Sequence, residues 1–261
     1  MTDPPDLTME LIDLPPSALQ VPKNLRALLI GSSESGKSTF IASLIKNKDK
    51  VFQSPGYSKF LFCTPNITAD PALTSSRDLR YKEALEEWAK PSEIVFFDHV
   101  ISEEELFAEA DSTPGKCLLV VDDFSQELLS SDLTYKLFTR LSSHGSIDTC
   151  VSIHQGVKST KTPGKWYSLV FSNCNFFVLM RTIANRASVG KISSDIFPYG
   201  KNHLQKCLTQ AEHLCGVHAY VCVDADLRNR LNPRFGVRTN IFEENGDPVF
   251  LCKNPQAYDK N

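Results

Sequence analysis

Gly31-Ser32-Ser33-Glu34-Ser35-Gly36-Lys37-Ser38 matches the pattern G-x-x-x-x-G-K-[ST] and stands between an apolar run, Ala27–Ile30, and a stretch of helical spacing, Lys37–Lys46. Glycine at both ends lets the backbone wrap closely, so successive N–H groups converge on an anion at the positive end of a helix. The pattern predicts a triphosphate cradle over Gly31, Ser32, Ser33, Glu34, Ser35, Gly36, Lys37, Ser38 and Thr39. Lys37 is expected to reach the β- and γ-phosphates, and the Ser38 hydroxyl to bind Mg²⁺, so ATP and Mg²⁺ are the expected cofactors.

Outward from this loop, short apolar runs alternate with helical stretches, the signature of βα units on a mostly parallel sheet. Strands are predicted at Ala27–Ile30, Phe60–Cys63, Ile94–Phe97, Leu118–Val121, Cys150–Ile153 and Phe176–Met180, and helices at Lys37–Lys46, Tyr81–Ala89, Glu103–Ala110 and Asp132–Leu141. The strands are apolar almost throughout, as a sheet covered by helices on both faces requires. Past about Ile192 the rhythm weakens. A helix at His203–Leu214, the run Val217–Val223 and an arginine-bearing loop (Arg228, Arg230, Arg234) lead to a hairpin, Val237–Phe242 with Val249–Leu251, around Asn245-Gly246-Asp247-Pro248. Residues 1–24, rich in proline, read as an extended arm. Residues 25–261 read as one α/β domain, three layers with a small C-terminal strand elaboration.

The second half of a nucleotide site lies at Cys117-Leu118-Leu119-Val120-Val121-Asp122-Asp123. Five apolar residues ending in two carboxylates describe a buried strand that emerges at the edge where open α/β sheets bind ligands. Asp122 is expected to hold Mg²⁺, and Asp123 to orient or deprotonate an attacking water, which favours hydrolysis over transfer to a small molecule. Gln155 ends the next strand, Cys150–Gln155, and its amide can both donate and accept at a γ-phosphate or a water. His154 competes for that role. Because neighbours on a strand face opposite ways, Gln155 is assigned to the site and His154 to packing.

In order and character, Gly31–Ser38, Leu118–Asp123 and Ile153–Gln155 resemble the FtsK/HerA superfamily of ring-forming, DNA-translocating ATPases. More narrowly, the chain is similar to the genome-packaging ATPases of Maverick/Polinton elements and related large DNA viruses, through Phe176–Arg181 and Arg228–Thr239, over roughly residues 25–242. The resemblance implies a RecA-like phosphate-loop fold, ATP hydrolysis, a homo-oligomeric ring, sequence-independent binding of double-stranded DNA, and capsid or portal partners. It also implies an arginine finger supplied to the neighbouring subunit. Arg140 stands where the resemblance places it, with Arg181 and Arg186 as rivals. Many members carry Glu after the metal-binding Asp, where this chain has Asp123.

The composition bounds these expectations. The chain has 261 residues, 41% hydrophobic and 23% charged, an ordinary globular balance that excludes a collagenous or disordered protein. Its net charge of -3 excludes a coat protein for nucleic acid, so DNA contact must be local. The stretch Gly156–Tyr167 carries Lys158, Lys161 and Lys165 and no acid, which makes it the expected phosphate-backbone contact, a solvated loop being the alternative. The eight cysteines include no C-x-x-C pair and mostly sit in apolar runs. With no signal-like N-terminus and no apolar run near the ~20 residues a membrane span needs, a reduced, intracellular or virion-associated setting is expected, with no membrane partner. A helicase, a small-molecule kinase and a nucleotide-gated scaffold stand as alternatives.

Overall fold

Apolar runs become strands wherever turn residues break them, and the helical stretches between them cover both faces of the resulting sheet. The computed structural model describes residues 9–11, 21–52, 56–65, 67, 76–90, 92–142, 146–154, 167–180, 189–190, 192–194, 202–216, 218–225, 237–239, 241–242 and 250–252. Among these the strands are β1 (Met9–Leu11), β2 (Arg26–Ile30), β3 (Tyr57–Cys63), β4 (Ile94–Phe97), β5 (Lys116–Val121), β6 (Ile147–Ile153), β7 (Phe176–Met180), β8 (Tyr220–Asp224), β9 (Val237–Thr239) and β10 (Phe250–Cys252). They form one sheet in the order β1-β10-β9-β8-β7-β2-β6-β5-β3-β4. The segment from β7 to β4 is parallel throughout, and β8, β9, β10 and β1 extend it in antiparallel fashion.

Among the described residues the helices include α1 (Lys37–Lys46), α2 (Lys48–Val51), α3 (Ser76–Trp88), α4 (Glu103–Asp111), α5 (Ser125–Ser130), α6 (Leu133–Lys136), α7 (Tyr167–Asn173) and α8 (His203–Cys215). On one face, Ala27, Leu29, Phe60 and Phe62 pack with Phe40, Ile41 and Leu44 of α1 and Leu85 of α3. On the other, Leu28, Ile30, Leu119 and Val151 pack with Leu106 of α4, Leu128 of α5, Phe138 just after α6 and Leu208 of α8. The period of two along each strand thus feeds two separate cores, giving the three-layer α/β arrangement that the alternation predicts.

Several boundaries differ from the sequence expectation for physical reasons. β6 starts at Ile147 rather than Cys150, because the polar pair Asp148-Thr149 is buried in the strand. The Asp148 carboxylate accepts from the Tyr57 hydroxyl (2.6 Å) and from Lys116 Nζ (3.3 Å), which also donates to Asn24 Oδ1 (2.8 Å). The single helix expected over Asp132–Leu141 is α6 continued by a π turn, Leu137–Leu141, closed where Ser142 Oγ donates to the Leu137 carbonyl (3.0 Å). At the C-terminal end, β9 stops at Thr239, and Phe242 turns back onto Phe40 of α1, with ring centroids 5.0 Å apart. The β9–β10 pair is antiparallel as a hairpin requires, although Asn245–Pro248 lies outside the described residues. Within the expected arm, β1 pairs with β10, and the Val21 N–H donates to the Val51 carbonyl (2.9 Å).

Cys63, Cys117, Cys150, Cys174, Cys207 and Cys222 are free and buried, and burial pushes the Cys63 and Cys222 thiols up to about 12. They behave as small hydrophobes. Among the described residues, no helix is long and apolar enough to cross a membrane.

Asp148 tests the packing directly. Its burial already holds its carboxyl above the ordinary range, so the two donors beside it decide what its presence costs. Tyr57→Phe removes one donor without changing ring packing and is expected to lower unfolding free energy by about 1–3 kcal/mol, read from urea denaturation midpoints.

Candidate active site

The phosphate loop begins where β2 runs out. The Gly31 N–H donates to the Ile153 carbonyl (3.1 Å), so the loop starts docked on β6. A Cβ at position 31 would stand 2.2 Å from Ser35 Oγ and 2.8 Å from Met180 Cβ, which leaves room for glycine alone. Gly36 caps α1 at φ 99°, the left-handed region where glycine is favoured. Lys37 opens α1 and is buried, its Nζ donating to the carbonyls of Gly31 (3.1 Å) and Ser32 (2.9 Å). Burial lowers its pKa against the opposing pull of Asp122 and Asp123.

Asp122 follows β5 directly, its N–H donating to the Cys63 carbonyl of β3 (2.9 Å). One carboxylate oxygen accepts from Ser38 Oγ (3.0 Å) and the other from Ser152 Oγ. Burial raises its pKa despite these bonds. Asp122 shares the face of Leu118 and Val120, the face covered by α1. Strand alternation would send Asp123 to the opposite face, but its φ of 63° breaks the alternation. Its carboxylate therefore meets His154 Nε2 instead.

His154 corrects the sequence reading. Cys150, Ser152 and His154 are spaced by two and face α1, whereas Val151 and Ile153 pack in the opposite core. His154 Nδ1 accepts from Lys37 Nζ (3.3 Å) and lies 3.5 Å from Ser33 Oγ. With Nδ1 as acceptor, the ring proton sits on Nε2 and is donated to Asp123. His154 is thus a bridge between the loop lysine and the second carboxylate, not a packing residue. The sequence carried only the shared parity of Cys150, Ser152 and His154; the Ser152–Asp122 bond shows which face that parity takes.

These groups line one cavity of about 650 Å³, which Lys37, Ser38, Thr39, Asp122, Asp123 and His154 share with Ser33, Glu34, Gly36, Ala42 and Thr64. Asp78 and Tyr81 of α3 close one side, and neither was singled out from sequence. Gly31 and Ser32 contribute carbonyls that hold Lys37, and Ser35 is buried within the loop. Ser38 and Asp122 bring hard oxygen donors together, as Mg²⁺ coordination requires. The buried ammonium of Lys37 and the N-terminus of α1 suit phosphate, so the residues present fit a magnesium nucleotide. Arg140 is exposed on the π turn and does not line the cavity. Gln155, Lys158, Lys161, Lys165, Arg181 and Arg186 lie outside the described residues.

No protein-family profile and no curated protein matches the chain. Among solved structures, it is similar to the cytoplasmic domain of the Thermomonospora curvata type VII secretion ATPase EccC, at 14% identity and a TM-score of 0.36, over 60% of this chain and 19% of that one. It is also similar to EccC ATPases 2 and 3 from the same organism, in complex with a signal sequence peptide, at 15% identity and a TM-score of 0.35, over 59% of this chain and 29% of that one. The chain therefore spans less than a third of the length of either structure.

His154→Ala is expected to lower ATP turnover about 10–100-fold while leaving the affinity for Mg·ATP equal or higher, because the imidazole aims a carboxylate and competes with phosphate for Lys37. Steady-state turnover beside equilibrium binding measures the split, and Gln155→Ala run in parallel compares the two residues that follow Ile153 in the sequence.

Proposed function

We propose that this chain is a magnesium-dependent ATPase. The observation that carries the reading is the meeting of Lys37, Ser38, Asp122 and Asp123 in one cavity, with His154 joining the lysine to the second carboxylate. The Gly36 cap and the first turn of α1 present backbone N–H groups to a phosphate. Lys37, released from the Gly31 and Ser32 carbonyls, offsets phosphate charge with its ammonium. Ser38 and Asp122 would hold Mg²⁺, which when bound neutralises charge on the β- and γ-phosphate oxygens. Asp123 orients the attacking water and accepts its proton, while the His154 Nε2–H keeps that carboxylate aimed.

The finer reading is a ring-forming motor subunit that translocates double-stranded DNA, most fittingly a viral or virus-like genome into a capsid. It rests on the order of the three motifs, from Gly31–Ser38 through Leu118–Asp123 to the end of β6, and on the resemblance they carry. Arg140, exposed and away from its own cavity, is free in position to serve the nucleotide of an adjacent subunit. Lys158, Lys161 and Lys165 follow closely on the end of β6 and supply charge for a DNA backbone.

The test is ATP turnover with and without linear duplex DNA. Wild type is expected to hydrolyse ATP and to be stimulated by duplex in a salt-sensitive, sequence-independent way, with Lys37→Ala inactive under both conditions. Arg140→Ala should cost about 10³-fold or more in the assembled protein. Replacing Lys158, Lys161 and Lys165 by Ala should remove the stimulation and spare basal turnover. Absence of turnover in assembled wild type overturns the ATPase reading. Turnover indifferent to duplex overturns the motor alone.

A further inference from the structure

Tyr81 stands on α3, nearly one helical turn after Asp78, and both residues line the phosphate cavity. The helix is fixed on two sides. Lys46 of α1 lies 5.5 Å from the centroid of the Trp88 ring, and Lys82 lies 5.5 Å from that of Phe96 on β4. Leu85, one turn after Tyr81, is fully buried in the core beneath α1. The phenol is therefore held against the cavity by the packing of its own helix, and a loop movement is not needed to bring it there.

Its hydroxyl is buried and has no hydrogen-bond partner among the described residues. An unmet buried hydroxyl is costly, and in native proteins such groups are few. Burial, together with the charges of Asp122 and Asp123, holds the phenol well above its ordinary pKa, so the group keeps its proton and acts as a donor. Asp122, whose charge acts on the phenol, is already engaged by Ser38 and Ser152. A donor of this kind, on a residue that lines a cavity also holding a buried lysine, fits an anionic oxygen brought by a ligand.

We propose that Tyr81 donates its hydroxyl to a phosphate oxygen of the bound nucleotide, making α3 a further wall of the phosphate site beside the loop, the acid strand and the end of β6. The inference rests on the nucleotide reading above and assigns a positioning residue to it. The bond exists only with ligand present, so α3, and through it β4, is tied to the occupancy of the cavity.

Tyr81→Phe removes only the oxygen. Calorimetric titration with Mg·ATP and with Mg·tripolyphosphate, beside urea unfolding of ligand-free protein, tests the assignment. The variant is expected to bind both ligands about tenfold more weakly, the effect of one hydrogen bond to a charged acceptor, while the ligand-free protein unfolds at the same or a higher urea concentration. A destabilised ligand-free variant would make the hydroxyl structural and overturn the proposal. Unchanged affinity for Mg·tripolyphosphate overturns it as well, since the acceptor is then no phosphate. Wild type that fails to bind Mg·ATP overturns the nucleotide reading and this inference together. Wild-type binding matched by an unaffected variant removes Tyr81 alone.

Discussion

A carboxylate buried at the end of a central strand must find donors for both oxygens, and Asp122 finds them on two different elements. Ser38 on α1 takes one oxygen and Ser152 on β6 the other, while the Asp122 N–H bonds β3. A buried charge short of either donor would cost several kcal/mol. The position of Asp122 therefore requires β3, β5 and β6 to hold their register and α1 to lie over them. Because β6 runs between β2 and β5, its last residues come between the phosphate loop and the acid pair. Gly31, docked on Ile153, closes the same arrangement from the other side. The strand order is what makes one cavity out of three sequence-distant segments.

Two adjacent carboxylates then live in different surroundings. Asp122 is buried and fully engaged, suited to holding a cation in a fixed place. Asp123 turns away through a left-handed backbone, is partly open to solvent, and is held by an imidazole. Neighbouring acids separated in this way can serve distinct roles, one structural toward a metal and one toward a reacting water. The left-handed turn, which Asp tolerates better than most side chains, is the backbone device that separates them.

What was legible in the sequence was whatever a contiguous stretch specifies. The phosphate loop needs its glycines, lysine and serine within eight consecutive positions, so the motif and its flanking strand and helix are read together. The apolar runs of β2, β5 and β7 are equally explicit, being buried on both faces. Residues that depend on another element were not legible. His154 was misassigned because alternation gives parity but no absolute face. The face becomes known only when Ser152 is tied to Asp122. Tyr81 looks like the first residue of an ordinary apolar helical stripe, and only packing of α3 against α1 brings it to the cavity. Asp148 hid the start of β6, since a polar residue reads as loop until Tyr57 and Lys116 are placed beside it.

The same bonds bear on how such a site would respond to its ligand. Lys37 Nζ donates to Gly31, Ser32 and His154, and an ammonium has three protons to give. Phosphate can engage it only by displacing some of these acceptors, so nucleotide binding competes with the Lys37–His154 contact. His154 is covalently followed by Gln155 and the lysine-bearing stretch Gly156–Tyr167. The imidazole thus stands between Lys37 and Asp123, and any change at the lysine is felt by the second carboxylate. On the proposed reading, the DNA-contacting stretch begins two residues after His154 in the sequence. That reading is compatible with a net charge of -3, because a backbone contact needs positive charge only where the polyanion is met.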